Sequence, residues 1–153
     1  MKILASDRVL QVTMPKAFAA VVKFVSFDRS RSRVEVKEQA SYEKGVYTLI
    51  AISGEFDVVS EPQFTSAAKT ALASGCKDFI VDLDGVSFLD GRALGALLDF
   101  FKSVRGRNYS ARLVTSNAFH RRLFLLTGID RILKLFDSLP QAAASLKKQL
   151  QES

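Results

Sequence analysis

The chain has 153 residues, 48% of them apolar, and a formal net charge of +6. That length suits one domain plus an extension, and that apolar content is enough for a packed core. No apolar run approaches about 20 residues, so no membrane span is expected, and the lone Cys76 excludes an internal disulfide and suits a reducing compartment, with a cytoplasmic location expected.

His120 is also alone of its kind, which leaves no His-based metal site or catalytic triad. The charge is uneven. Residues 1–33 hold seven of the 22 Lys and Arg and two of the 16 Asp and Glu; the other 120 residues hold 15 against 14. A nucleic-acid face on the main domain is therefore not expected, since such a face needs clustered cations.

Residues 1–32 read as a basic N-terminal extension. Val9 to Val12 suits a short strand, and Pro15 suits the first turn of a helix carrying Phe18, Val21, Val22 and Val25 on one side. With Lys16, Lys23, Arg29 and Arg31, this segment reads as a basic amphipathic helix for an anionic membrane or a partner, as a helix packed on the domain, or as a disordered tail. No signal peptide is expected, because Lys23 interrupts the apolar region. Ser30-Arg31-Ser32 reads as the linker into a domain over 33–153.

Arg33 to Gln39 alternates in the manner of a half-buried strand, with Val34 and Val36 on one face. Glu43-Lys44-Gly45 is a turn, and Tyr47 to Ile52 a second strand of the same hairpin. Gly54-Glu55-Phe56-Asp57 ends it. Ser60-x-x-Gln63 has the form of a capping box. The helix that follows buries Phe64, Ala68, Ala71 and Leu72 and stops at Gly75. Cys76 reads as a small residue at the next helix-to-strand turn.

The stretch FIVDLDGVSFLDGRALGALLDFFKSVRG, Phe79 to Gly106, organises the rest. Phe79 to Leu83 is short and rich in β-formers, as a strand covered on both faces would be. A turn is expected at Asp84-Gly85. From Arg92 the spacing of Leu94, Leu97, Leu98, Phe101 and Val104 is helical, with Gly106 as the stop. Asp90 is placed to cap this helix, so the loop lies at the positive end of a helix dipole. Asp82, Asp84 and Asp90 do not make a convincing cation site, because Asp82 alternates onto the sheet and Asp84 turns the chain.

Ala111 to Thr115 is the next strand, followed by a helix capped by Ser116 or Asn117, running through Phe119, Leu123 and Leu126 to Gly128. Ile132 to Phe136 is a last short strand. Ser138-x-x-Gln141 repeats the capping pattern before a helix anchored by Leu146 and Leu150. The order β-β-α-β-α-β-α-β-α predicts an α/β fold: a mixed, mostly parallel sheet of four to five strands with about four helices.

Gly54-Glu55-Phe56-Asp57, then VDLDGVSFLD before a helix, then FHRRLFLLTGIDRILKLF, together resemble the STAS domain family, which includes the bacterial anti-sigma factor antagonists. The resemblance runs from about Arg33 to the C-terminus. It implies a non-catalytic partner switch without a cofactor, in which an anti-sigma kinase phosphorylates a Ser or Thr just after the capping Asp. The family's loop reads Asp-Ser-Ser-Gly-Leu; here it reads Asp90-Gly91-Arg92-Ala93-Leu94. The phosphoacceptor position falls on Gly91, or on Arg92, and neither has a hydroxyl. Ser87 is the nearest hydroxyl before the loop.

The resemblance thus implies partner binding through Asp57, Asp90, Gly91, Arg92 and Leu94. Arg92 reads either as a solvated surface residue or as an anchor for an acidic patch or a nucleotide phosphate. Asp57 reads as a partner contact or as a loop carboxylate that bonds nearby N–H groups. The expected partner is an anti-sigma factor or GHKL-type kinase. The rivals are an ABC ATPase, if the chain is the STAS subunit of a lipid importer, and a nucleotide, although no Gly-rich phosphate loop is present. Of the readings of residues 1–32, the basic amphipathic helix is the one that would bring a peripheral membrane contact, and self-association is left open.

Overall fold

The computed structural model describes residues 8–13, 21–29, 32–41 and 45–152, with side chains over 32–34 and 47–146. From residue 32 onward the elements follow the expected order. Strands β3 (Ser32–Ser41) and β4 (Gly45–Phe56) form an antiparallel pair. Then come helix α1 (Glu61–Leu72), strand β5 (Asp78–Leu89), helix α2 (Gly91–Gly106), strand β6 (Ser110–Val114), helix α3 (Ala118–Thr127), a 3-10 turn, strand β7 (Lys134–Phe136) and helix α4 (Leu139–Glu152). Strands β4 to β7 are parallel neighbours in sequence order. Successive crossovers of one hand therefore place α1, α2 and α3 on the same face.

Two strands precede this unit. Strand β1 (Arg8–Thr13) matches expectation. Strand β2 (Val21–Arg29) replaces the helix expected through Val21, Val22 and Val25, and it pairs antiparallel with both β1 and β3. The β-branched residues in this segment favour extended backbone, and the neighbouring edge of β3 supplies hydrogen-bond partners, so pairing overrides the helical spacing. Pro15, Lys16, Phe18, Ser30 and Arg31 lie outside the described residues, as do Glu43 and Lys44. The sheet has seven strands in the order β1 to β7, and β5 is the middle one of the five from β3 onward.

The main core lies between the sheet and the three helices. Phe56, Phe64, Phe79, Leu97 and Phe101 are all buried there, as expected for Leu97 and Phe101. Ring contacts run from Phe56 to Phe64 at 5.3 Å, Phe64 to Phe100 at 6.0 Å and Phe100 to Phe79 at 5.8 Å. They tie β4, α1, α2 and β5 together, and burying each such ring contributes about 1.5–3 kcal/mol. A smaller core on the other face packs Ala142 and Leu146 of α4 against Leu49, Ile80 and Val114. The side chain of Leu150 lies outside the described residues.

Strand β5 is longer than expected. It does not turn at Asp84-Gly85 but continues to Leu89, with register shifts opposite Ala51/Ser53 and Gly54/Glu55. At the first shift a Cβ on Gly85 would sit 2.8 Å from Ser53 Cβ. Glycine thus lets the two backbones approach while the strand bulges instead of stopping.

Helix stops also differ. Helix α1 ends at Leu72, before Gly75, and the left-handed residue after α2 is Asn108, at φ 60, not Gly106. Gly128, at φ 77, caps α3 as expected. The buried side of α3 is His120 and Phe124, while Phe119 and Leu126 are exposed, so the stripe expected there is rotated. The 3-10 turn Ile129–Arg131 then delays the last strand to Lys134.

Candidate functional site

Parallel strands deliver the starts of α1, α2 and α3 to one end of the sheet, beyond the carboxyl ends of β4, β5 and β6. The expected site residues meet there. Asp90 holds the centre. Its Oδ1 accepts from Ala93 N at 3.0 Å, which caps α2, and its Oδ2 accepts from Val58 N at 3.0 Å. Asp90 N donates to Phe56 O at 3.2 Å. One carboxylate thus fixes the helix start and the β4–α1 loop relative to each other.

Asp57 organises that loop. Its Oδ1 accepts from Val59 N at 3.0 Å and Ser60 N at 3.2 Å, and its carbonyl accepts from Glu61 N at 2.8 Å. This is the loop-carboxylate reading of Asp57. The capping box expected at Ser60 is absent. The buried Ser60 hydroxyl donates to Glu55 O at 2.9 Å and accepts from Asp57 N at 3.0 Å, and Gln63 N bonds instead to the Ser60 carbonyl at 3.1 Å. The hydroxyl is turned back into the loop, where two backbone groups need partners. At α4, Ser138 Oγ does accept from Gln141 N, at a long 3.4 Å.

Gly91 and Arg92 stand exposed on the first turn of α2, and Leu94 is half-buried. A Cβ on Gly91 would meet nothing within 4 Å. The Arg92 side chain is 63% exposed and pairs with Glu61 at 3.7 Å; Glu61 also accepts from the Thr65 hydroxyl. This ion pair offsets a cation at a helix N-terminus, where the dipole disfavours one. Ser87 is the exposed extra residue of the second β5 shift, and Phe88 beside it is 51% exposed.

The three aspartates do not converge. Asp82 Oδ1 accepts from Asp84 N at 2.9 Å, while Asp84 Oδ1 accepts from Ser116 N at 2.7 Å and Ser116 Oγ at 3.0 Å, tying β5 to the β6–α3 loop. Burial pushes the Asp82 carboxyl above its ordinary range, against the opposing effect of that Asp84 N–H. Asn117 caps α3, accepting from His120 N at 3.1 Å.

A model of the STAS domain matches residues 33–142, well over half of the chain. The chain belongs to the STAS domain family. A relative from Listeria monocytogenes, named anti-sigma-B factor antagonist, is 26% identical over 102 residues, covering 67% of this chain and 86% of its own. Among solved structures, an anti-sigma factor antagonist from Mycobacterium paratuberculosis superposes with TM-score 0.68 at 23% identity, over 76% of this chain and 94% of the other. A sulfate transporter family protein from Wolinella succinogenes gives TM-score 0.62 at 19% identity, over 69% and 88%. These two likenesses establish the mixed α/β fold.

Sequence reasoning missed Val58 and Val59, which are 53% and 65% exposed on the loop that Asp90 holds. The signal was there: two adjacent valines between a strand end and a helix cap have no core to enter. The second role of Asp90 left no such signal, because Val58 is 32 residues away.

Proposed function

We propose that this protein is a non-catalytic interaction module of the anti-sigma factor antagonist type, and that its partner is an anti-sigma factor or GHKL-type kinase. The partner would dock on the edge formed by Val58, Val59, Gly91, Arg92 and the exposed shoulder of Leu94. The observation that carries this is the Asp90 carboxylate, which locks the β4–α1 loop to the start of α2. An edge ordered in advance loses little entropy on binding. The likeness to relatives named anti-sigma factor antagonist supports the same reading.

In this reading the edge works without phosphate. A phosphoryl group would add about −1.5 to −2 charges at the docking surface. Gly91 and Arg92 offer no acceptor oxygen, so the site stays in the state that binds. In this reading residues 1–32 are an appendage to the domain over 33–153.

The test is incubation with ATP and a cognate anti-sigma kinase. Wild type is expected to bind the kinase and to take up no phosphate in the Asp90–Leu94 loop. Gly91→Ser should take up some, and Gly91→Ser with Arg92→Ser more. Stoichiometric phosphate on Ser87 of the protein isolated from its own cells would show instead that the switch sits elsewhere on the edge.

A further inference from the structure

The opposite end of the parallel sheet has a different chemistry. The turns that lead into β5, β6 and β7, with the strand starts themselves, carry Lys77, Arg105, Arg107, Arg112, Arg131 and Lys134 against Asp78 and Asp130. The near-even charge of the domain thus hides a segregation. Between these elements lies a cavity of 490 Å³, within the range of about 300–1,000 Å³ usual for small-ligand sites.

The cavity exists because β7 is short. Its pairing with β6 begins at Arg112↔Lys134, so Ser110 and Ala111 extend past the end of β7 and leave a slot at the sheet edge. Tyr109, Ala111, Ile132 and Leu133 give the slot its accessible apolar surface over the buried Phe101 and Val104, and Arg105, Arg112 and Lys134 give it cations; among the described residues no acid lines it. Arg112 is 5% exposed. Its Nε donates to Ser145 Oγ at 2.8 Å and its Nη1 to Ala111 O at 3.0 Å, so the guanidinium is held in place. Asp78 balances that buried charge. Arg105 and Lys134 are exposed and form no ion pair with a described residue.

We propose that this slot binds a small amphiphilic anion, its carboxylate or phosphate between Arg105 and Lys134 at the mouth and its apolar body against Tyr109, Ala111, Ile132 and Leu133. Cations that converge on an apolar recess fit a ligand with one charged end, since a wholly polar anion would leave those walls wet. The site lies at the other end of the sheet from the proposed docking edge and is independent of that reading.

Calorimetric titration of the full chain with octyl phosphate, octanoate, octylamine and inorganic phosphate tests it. Octyl phosphate and octanoate should bind one per chain, shifting the amide signals of Tyr109 to Arg112 and Ile132 to Lys134 and leaving those of Asp90 to Leu94 in place. Arg105→Ala and Lys134→Ala, both at exposed positions, should each weaken octyl phosphate binding about tenfold or more. Inorganic phosphate should bind more weakly than octyl phosphate, and octylamine not at all. Octylamine binding as well as octyl phosphate, inorganic phosphate binding equally well, an unchanged affinity in both Arg105→Ala and Lys134→Ala, or no binding of either amphiphilic anion would each overturn the proposal.

Discussion

The two ends of the parallel sheet share one core and differ in almost everything else. At the carboxyl ends of the strands, Glu55, Asp57, Asp84 and Asp90 lie in or beside the loops, and three of these carboxylates are committed to backbone N–H groups. Asp57, Asp84 and Asp90 act as acceptors; Asp82 likewise holds the Asp84 N–H. Two of the cations there, Arg92 and Arg121, are ion-paired to Glu61 and Asp137. At the amino ends the charges are mostly cations, and those at the cavity mouth reach into solvent. The difference teaches that one end spends its charge on its own geometry while the other leaves it available. Helix dipoles favour the same division, acids at helix starts and bases at helix ends.

The core common to both ends should give the largest effect. Phe101 is 2% exposed and also walls the cavity, so Phe101→Ala should lose about 3–5 kcal/mol in urea denaturation. An unchanged melting temperature would mean that α2 faces elsewhere. The next effect separates the ends. Asp90→Ala removes a helix cap and the bond to Val58, and should cost about 2–3 kcal/mol. Lys134→Ala at the other end should stay within about 0.5 kcal/mol. Equal losses would erase the distinction.

Smaller effects sharpen it. Deleting residues 1–31 strips β3 of its pairing with β2, but β3 keeps its ten-residue register with β4. The truncated domain should still unfold cooperatively at a lower melting temperature; collapse would make the N-terminal strands part of the core. His120 is buried, its Nδ1 has no hydrogen-bond partner among the described residues, and burial pushes its pKa below the ordinary value. The unfolded chain therefore binds the proton more readily. Stability should be complete above about pH 6.5 and decline as pH falls below it. His120→Leu should flatten the part of that decline due to the imidazole, read as the difference between the melting temperatures of variant and wild type from about pH 7 down to about pH 5.

Much of this was legible in the residues. Period and caps located every strand and α-helix from β3 onward, though not the 3-10 turn before β7, because β-rich runs, Asp90, Asn117 and Gly128 act through neighbours a few positions away. What was not legible depends on distant partners. The helix expected from Pro15 onward gave way over Val21–Arg29 to a strand because β3 offers an edge, and the spacing of Phe119 and Leu126 does not say which side of α3 meets the sheet. The loop was found from Asp90 and its missing hydroxyl, but Val58 had to be seen beside it. The basic end was invisible in a charge count, since Lys77, Arg105 and Lys134 are brought together only by the crossovers.

Binding of the full chain to an anti-sigma kinase of the proposed kind, measured for wild type and Gly91→Asp, tests the central reading most directly. Gly91 has open space around its Cβ position, and an acid on the first turn of α2 suits the dipole, so the variant should melt as wild type does. It places a negative charge on the proposed docking edge, at one of the two positions where the family resemblance implies a phosphoacceptor. The account predicts that Gly91→Asp weakens binding by about tenfold or more, with Lys134→Ala unchanged as the control from the other end. Undiminished binding by Gly91→Asp would contradict it.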